Sequence, residues 1–171
     1  MHEAQPRMLA GKTVASSAVE LATLVEVADT NPMGNIHGGV IMKLADQAAA
    51  AAAIRHSGRI CVTASIDKLD FLSAVHVGDM VVLKASLHYA HRSSMEVGVR
   101  IESEQLRTGT RKHVASATLI FVALDDACKP VAVPPVIAET AEERRRYAAA
   151  EERYRARAAQ REREKAARPK R

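Results

Sequence analysis

The stretch Asn31 to Gly58, NPMGNIHGGVIMKLADQAAAAAAIRHSG, constrains the fold more than any other part of the chain. It opens on turn chemistry at Asn31-Pro32, Gly34-Asn35 and Gly38-Gly39. It then runs for about seventeen residues without Gly or Pro and stops at Gly58. This pattern predicts a helix opened by glycines and closed by a C-terminal glycine, with Arg55 and His56 in the last turn, where cations suit the dipole. Val40, Ile41, Leu44, Ala45, Ala48 and Ala52 recur at helical steps and form one broad apolar face. The unbroken run Ala48–Ala53 carries little bulk on any side, so other backbone can approach closely all round. That is the character of a central helix wrapped by a sheet. Asp46 sits in its middle among small apolar neighbours, where a carboxylate is costly unless it is partnered or used.

The segments around this helix read as strands. Ala18–Val27 leads into the Asn31 turn. Arg59–Leu72 is rich in β-branched residues, and its alternation of Val62, Ala64 and Ile66 with Thr63, Ser65 and Asp67 predicts a half-buried strand. Val75–Asp79 is a turn, followed by strands over Met80–Ala90, Met95–Leu106 and Lys112–Leu124. In the second of these, Val97, Val99 and Ile101 share one face and Glu96, Arg100 and Glu102 the other. One helix followed by a run of strands argues for α+β. One alanine-rich helix cannot cover both faces of about five strands, so an edge strand is expected to pair with a second copy about a two-fold axis.

Charge divides the chain. Its net +5 arises in the tail, where residues 141–171 hold twelve Lys/Arg against six Asp/Glu, leaving thirteen against fourteen in the body. We read residues 1–16 as a mobile leader, 17–138 as a single domain, and 139–171 as a basic Arg/Glu/Ala-rich segment, helical or disordered, with no large aliphatic residue to dock it. Its tyrosines are too few for nucleic-acid binding, and a solvated or inter-subunit helix is the expectation. Cys61 and Cys128 offer neither a disulfide framework nor metal-ligand spacing, and neither reads as a nucleophile. No membrane span or signal peptide is evident, so a cytoplasmic protein is the default.

The pattern N-x-x-G-N-x-H-G-G-x-x-M-K-x-x-D from Asn31 to Asp46, followed by R-H, V-T-A-S-I-D, D-F-L, V-G-D and R-S-S-M-E-V, resembles the hotdog-fold acyl-CoA thioesterases. It is most similar to the cytosolic acyl-CoA hydrolases, bacterial single-domain and vertebrate brain enzymes among them. The resemblance implies a long central helix wrapped by a curved antiparallel sheet and paired into a dimer or a trimer of dimers. It also implies hydrolysis of acyl-CoA to a free acid and CoA-SH, with coenzyme A as part of the substrate and no separate cofactor or metal. Relatives often carry two hotdog units. This chain has one, so the second half of the site is expected from another subunit.

Read alone, Asp46 is a helix carboxylate bonded to a strand, and Asn31 is a turn residue before proline. The resemblance makes Asp46 the general base or nucleophile. It makes Asn31 of the partner subunit the group that orients water or thioester, since a carboxamide both donates and accepts. Gly38 and Gly39 suit a tight turn at positive φ, free amides at a helix start, or both together, and the Gly39 amide would polarise the thioester carbonyl. His37 is a candidate donor at the mouth. The turn His91-Arg92-Ser93-Ser94 offers a guanidinium fork for phosphate and two hydroxyls, and the resemblance brings Arg92, Ser93 and Ser94 near coenzyme A, with Thr63 along the pantetheine path. Two other functions compete: a hydroxyacyl thioester dehydratase or hydratase, for which His37 would have to serve, and a non-catalytic acyl-CoA sensor.

Overall fold

The computed structural model describes residues 9–167. In chain order the elements are β1 (Lys12–Thr13), α1 (Val14–Ser17), β2 (Val19–Leu24), α2 (Gly38–Ser57), β3 (Ile60–Phe71), β4 (Asp79–His91), β5 (Ser94–Gln105), β6 (Thr110–Leu124), β7 (Val136–Ile137) and α3 (Ala141–Ala167). Five strands form one antiparallel sheet in the order β2-β4-β5-β6-β3, while β1 and β7 pair in parallel apart from it. This is the expected α+β arrangement of one long helix on a five-stranded sheet.

Glycine closes α2 as anticipated. Gly58 takes φ 66°, and its amide donates to the Ile54 carbonyl at 2.8 Å. Ala45, Ala48, Ala49, Ala52 and Ala53 are buried, because their small side chains let the helix settle closely onto Leu83, Leu87, Val97, Ile101, Leu119 and Phe121 of the sheet. Burial is one-sided, however. Met42 and Ile54 of the same helix are 41% and 45% exposed. The close approach expected all round the helix is absent within one chain.

His56 departs from its expected role as a cation at the helix end. It is fully buried, its Nε2 donates to the Pro134 carbonyl at 2.9 Å, and its Nδ1 lies 3.4 Å from the Ser17 hydroxyl. Burial pushes its pKa below 6.5, against the opposing effect of the Pro134 bond. An unfolded chain takes up a proton near pH 6.5 that the native imidazole refuses. The contribution of His56 is therefore complete above that pH and is lost as the pH falls below it. Melting curves from pH 7.5 to 5.5 should show stability falling by up to ~1.4 kcal/mol per pH unit from this residue. His56→Gln should flatten that dependence, and an unchanged slope in the variant would contradict the assignment.

Three further segments differ from the sequence reading. Residues 1–8 of the expected leader lie outside the described residues. From Lys12 onward the chain is structured, with Val14 buried and Lys12–Thr13 paired to Val136–Ile137. The alternation in β3 predicts a half-buried strand, yet it is an edge strand, exposed along most of its length. Irregularities at Thr63/Ser65 and Ile66/Lys68 shift its register against β6, and Thr63 is the residue opposite the core residue Phe121.

The third difference is the tail. Helix α3 docks on the sheet face opposite α2 without any large aliphatic residue. Tyr147 and Tyr154 pack on Tyr89, with ring centroids 5.1 and 5.6 Å apart, and Ala150 is fully buried. Below them Arg153 and Arg157 clasp the buried Glu96 at 2.6 and 2.9 Å, and Arg157 also reaches Asp67 at 2.7 Å. Burial opposes ionisation of Glu96. The His88 ring and the two guanidiniums outweigh it and lower the carboxyl to about 2. The polar face expected at Glu96 is thus covered by the tail itself.

Candidate active site

Asp46 lies on the third turn of α2, half-buried and near the open face of the helix. Its Oδ1 accepts a hydrogen bond from Thr63 Oγ1 at 2.6 Å. This bond follows from the register of β3, since the residue opposite Phe121 faces the helix. Thr63 therefore holds the carboxylate itself, a closer role than the expected contact along the pantetheine path. A short, charge-assisted bond fixes one carboxylate oxygen and leaves the other for chemistry.

The glycine pair starts the helix. His37 is the N-cap, and Val40 and Ile41 both donate to its carbonyl, at 2.9 and 3.2 Å. Among the described residues the Gly38 and Gly39 amides have no acceptor. Gly39 is exposed and a Cβ there would meet nothing within 4 Å, so a ligand has room beside it. Neither glycine has positive φ, which removes the strained-turn reading. Gly34 carries the positive φ of this loop, at 76°. The His37 ring is exposed and makes no side-chain hydrogen bond among the described residues.

Asn31 serves its loop through one end of its side chain. Oδ1 accepts from the amides of Met33 at 2.9 Å and Asn35 at 3.3 Å, an Asx turn that shapes the approach to α2. Its NH2 makes no hydrogen bond among the described residues. Asn31 can therefore offer a donor to a ligand, whereas the expectation was a group that also accepts.

These residues fall into two groups. Asn31, His37, Gly38 and Gly39 gather at the start of α2, tied there by the Asn31–Asn35 and Ile36–Val75 backbone bonds. Asp46 lies seven residues further along the helix than Gly39, roughly 10 Å at 1.5 Å per residue, with Thr63 of β3 bonded to it. The β4–β5 turn stands level with the second group, because Met95 and Thr63 both pair with Phe121 across β6. Two strand spacings separate that turn from Thr63, again roughly 10 Å. Arg92 takes φ 53° at the corner of this tight hairpin. Its guanidinium is exposed and has no carboxylate partner among the described residues. Ser94 lines a groove with Ala64 and Ser65 of β3 and Arg157 and Arg161 of α3.

Fold and site together define a hotdog-fold protein with a carboxylate on its central helix. The thioesterase superfamily matches residues 33–110. An uncharacterised acyl-CoA thioester hydrolase of Bacillus subtilis is 44% identical over 115 residues, 67% of each chain. The cytosolic acyl coenzyme A thioester hydrolase of Rattus norvegicus is 33% identical over 144 residues, which are 83% of this chain but only 38% of that enzyme. Among solved structures, a hexameric acyl-CoA thioesterase superposes with a TM-score of 0.85 at 38% identity, covering 89% of this chain and 97% of the other. The acyl-CoA hydrolase of Staphylococcus aureus in complex with butyryl coenzyme A, coenzyme A and coenzyme A disulfide superposes at 0.83 and 37% identity, covering 90% and 94%. Variants of that enzyme with alanine at an aspartate, a threonine and an asparagine superpose at 0.83 to 0.86. The chain belongs to the acyl-CoA thioester hydrolases of the thioesterase superfamily.

Proposed function

We propose that this protein hydrolyses acyl-CoA thioesters to a carboxylic acid and CoA-SH, in a site shared by two copies of the chain. The observation that carries the reading is the Asp46 carboxylate, held at 2.6 Å by Thr63 on the open side of the central helix. Asp46 activates a water against the thioester carbon, or attacks that carbon itself and is released by water. The Gly39 amide stabilises the charge that develops on the carbonyl oxygen. Asn31, with its donor end free, orients the carbonyl or the water. Arg92, Ser93 and Ser94 receive the coenzyme A portion. No cofactor takes part, because coenzyme A belongs to substrate and product. We place the reaction in the cytoplasm on the resemblance to the cytosolic enzymes.

A shared site fits the separation of the two groups. The Gly39 amide and the Asp46 carboxylate of one chain are too far apart to act on one carbonyl. A two-fold axis that sets the α2 helices side by side in opposite directions brings Asn31 and Gly39 of one copy to Asp46 of the other. The surface for such pairing is exposed: Ile60, Val62 and Ile66 on β3 and Met42 and Ile54 on α2 are 40–65% accessible. An exposed apolar edge strand is a standing invitation to pair. Hexameric relatives support a trimer of such dimers. The spacing in the S. aureus variants adds support: their asparagine, aspartate and threonine stand fifteen and seventeen positions apart, as do Asn31, Asp46 and Thr63.

The dehydratase alternative has less support, because the relatives and solved neighbours are named as thioester hydrolases. Incubation with acyl-CoA and a thiol reagent tests the reading. Release of free CoA-SH is expected, and binding without release would overturn the hydrolase reading.

Thr63→Val gives a graded test. A hydrogen bond to a charged group contributes about 1.5–3 kcal/mol. Its loss should lower kcat by ~10- to 100-fold, and Thr63→Ser should recover most of that. Equal activity in wild type and Thr63→Val would make the bond incidental.

A further inference from the structure

A cavity of about 430 Å³ opens directly beside the glycine pair. Gly38 forms part of its wall. Ile41, Val75, Val114 and Ala115, all nearly inaccessible to solvent, form its floor. Phe71 and Leu72 stand at the rim, 55% and 57% exposed. The only polar residues in the lining are Asn35 and Ser73, and none is charged. Backbone bonds fix the walls: Ile36 N donates to the Val75 carbonyl at 2.9 Å and Leu72 N to the Val114 carbonyl at 2.8 Å.

We infer that this cavity receives the hydrocarbon chain of the acyl group and that Phe71 and Ala74 set the chain length accepted, making medium-chain acyl-CoA the preferred substrate class. The inference rests on the proposed thioesterase reading and names what that site prefers. Three observations meet in it. First, Gly39 follows the wall residue Gly38, so a carbonyl oxygen held on the Gly39 amide puts the first carbon of the acyl chain at the cavity mouth. Second, an uncharged apolar lining accepts a hydrocarbon and disfavours a second carboxylate, whose burial without a partner is costly. Third, the size fits. Taking a methylene as about the size of a water, whose ~30 Å³ share already includes packing, the space of about 430 Å³ holds at most roughly fourteen carbons, which covers a medium-length chain.

Gly38 has a steric task here besides its amide. A Cβ at this position would lie 3.1 Å from Cζ of Phe71, so glycine lets the ring rest on the helix start and close one side of the cavity. Ala74 projects from the exposed loop on the other side, where a larger side chain fills the space without entering the core. The other possible occupant of an apolar mouth is a second copy of the chain.

The test measures kcat/KM, and Kd by competition, for butyryl-, octanoyl- and decanoyl-CoA with the full chain, while sedimentation follows the assembly. Ala74→Phe should lower the decanoyl-to-butyryl ratio at least ~10-fold, since each methylene in an apolar pocket contributes a factor of this order or more. Phe71→Ala, which removes the wall instead of filling the space, should lower the same ratio. A ratio unchanged in both variants overturns the inference while the thioesterase reading stands. Equal losses on all three substrates, accompanied by dissociation, also overturn it and assign the surface to a subunit contact. A wild-type protein that neither binds nor hydrolyses acyl-CoA overturns the inference together with the reading beneath it.

Discussion

Asp46→Asn should abolish most turnover while leaving the protein folded and assembled. The substitution keeps the size and shape of the side chain, and Thr63 Oγ1 can still donate to the amide oxygen across the same 2.6 Å. What it removes is the charge and the ability to take a proton or attack a carbon. Removal of a general base typically costs 100- to 10,000-fold, and loss of a nucleophile costs at least as much, so kcat should fall by two to four orders of magnitude or further. Affinity for a substrate analogue should change far less. That split is informative, because a mutation that acts only on the transition state lowers kcat and leaves binding in place. Asp46 has one hydrogen bond and half-burial, and no ion pair depends on it among the described residues. Its neutral replacement should therefore leave the melting temperature within a few degrees. A variant that hydrolyses acyl-CoA at a near-normal rate would remove Asp46 from the chemistry.

The parts of the fold legible in the sequence are those set by neighbouring residues. The start of α2, its alanine face and its stop at Gly58 depend on local propensity, small side chains and a left-handed cap. The hairpins depend on alternation and on turn residues. Long-range effects were not legible. In β3 the alternation of Val62 and Ile66 looks like core patterning, yet both are exposed within the chain. That strand lies at the sheet edge, and its apolar residues suit a partner's surface. Thr63 pairs with Phe121 in unbroken register and so faces the helix, but that it meets Asp46 depends on where β3 lies beside α2, which no period in the sequence reports. The helix of the tail is legible in its composition, but its docking escapes a reading that equates docking with aliphatic bulk. Tyr147, Ala150, Tyr154 and Arg157 recur at three- and four-residue steps, a stripe that points α3 onto the sheet. The signal was there, carried by aromatic rings and guanidinium stems. Glu96 shows the converse case. A strand glutamate reads as solvent-facing until its two arginine partners arrive from about sixty residues away. The cavity beside Gly38 had no signature at all, because its walls come from three separate segments, 35–41, 71–75 and 114–115.

Mixing two inactive proteins should restore activity if the site is shared. Asn31→Asp is the better partner for this test than Asn31→Ala. A carboxylate keeps the oxygen that accepts from the Met33 and Asn35 amides, so the loop retains its turn. It loses the NH2 donor, which is the part of Asn31 left free for a ligand. Each parent alone, Asn31→Asp or Asp46→Ala, has one lesion in every site and should be nearly inactive. When the two chains are co-expressed and assemble at random, each site draws its position 31 from one copy and its position 46 from the other. A site is intact when its Asn31 comes from the Asp46→Ala chain and its Asp46 from the Asn31→Asp chain. This happens for about a quarter of sites under two-fold pairing, whether the dimers stand alone or group into larger assemblies. About a quarter of wild-type activity should therefore return from parents reduced by orders of magnitude. The roughly 10 Å along α2 between Gly39 and Asp46 makes the alternative concrete, because residues acting within one chain could not complement. Mixed assemblies, verified by differential tagging, that stay as inactive as their parents would show that Asn31 and Asp46 do not meet across the two-fold axis.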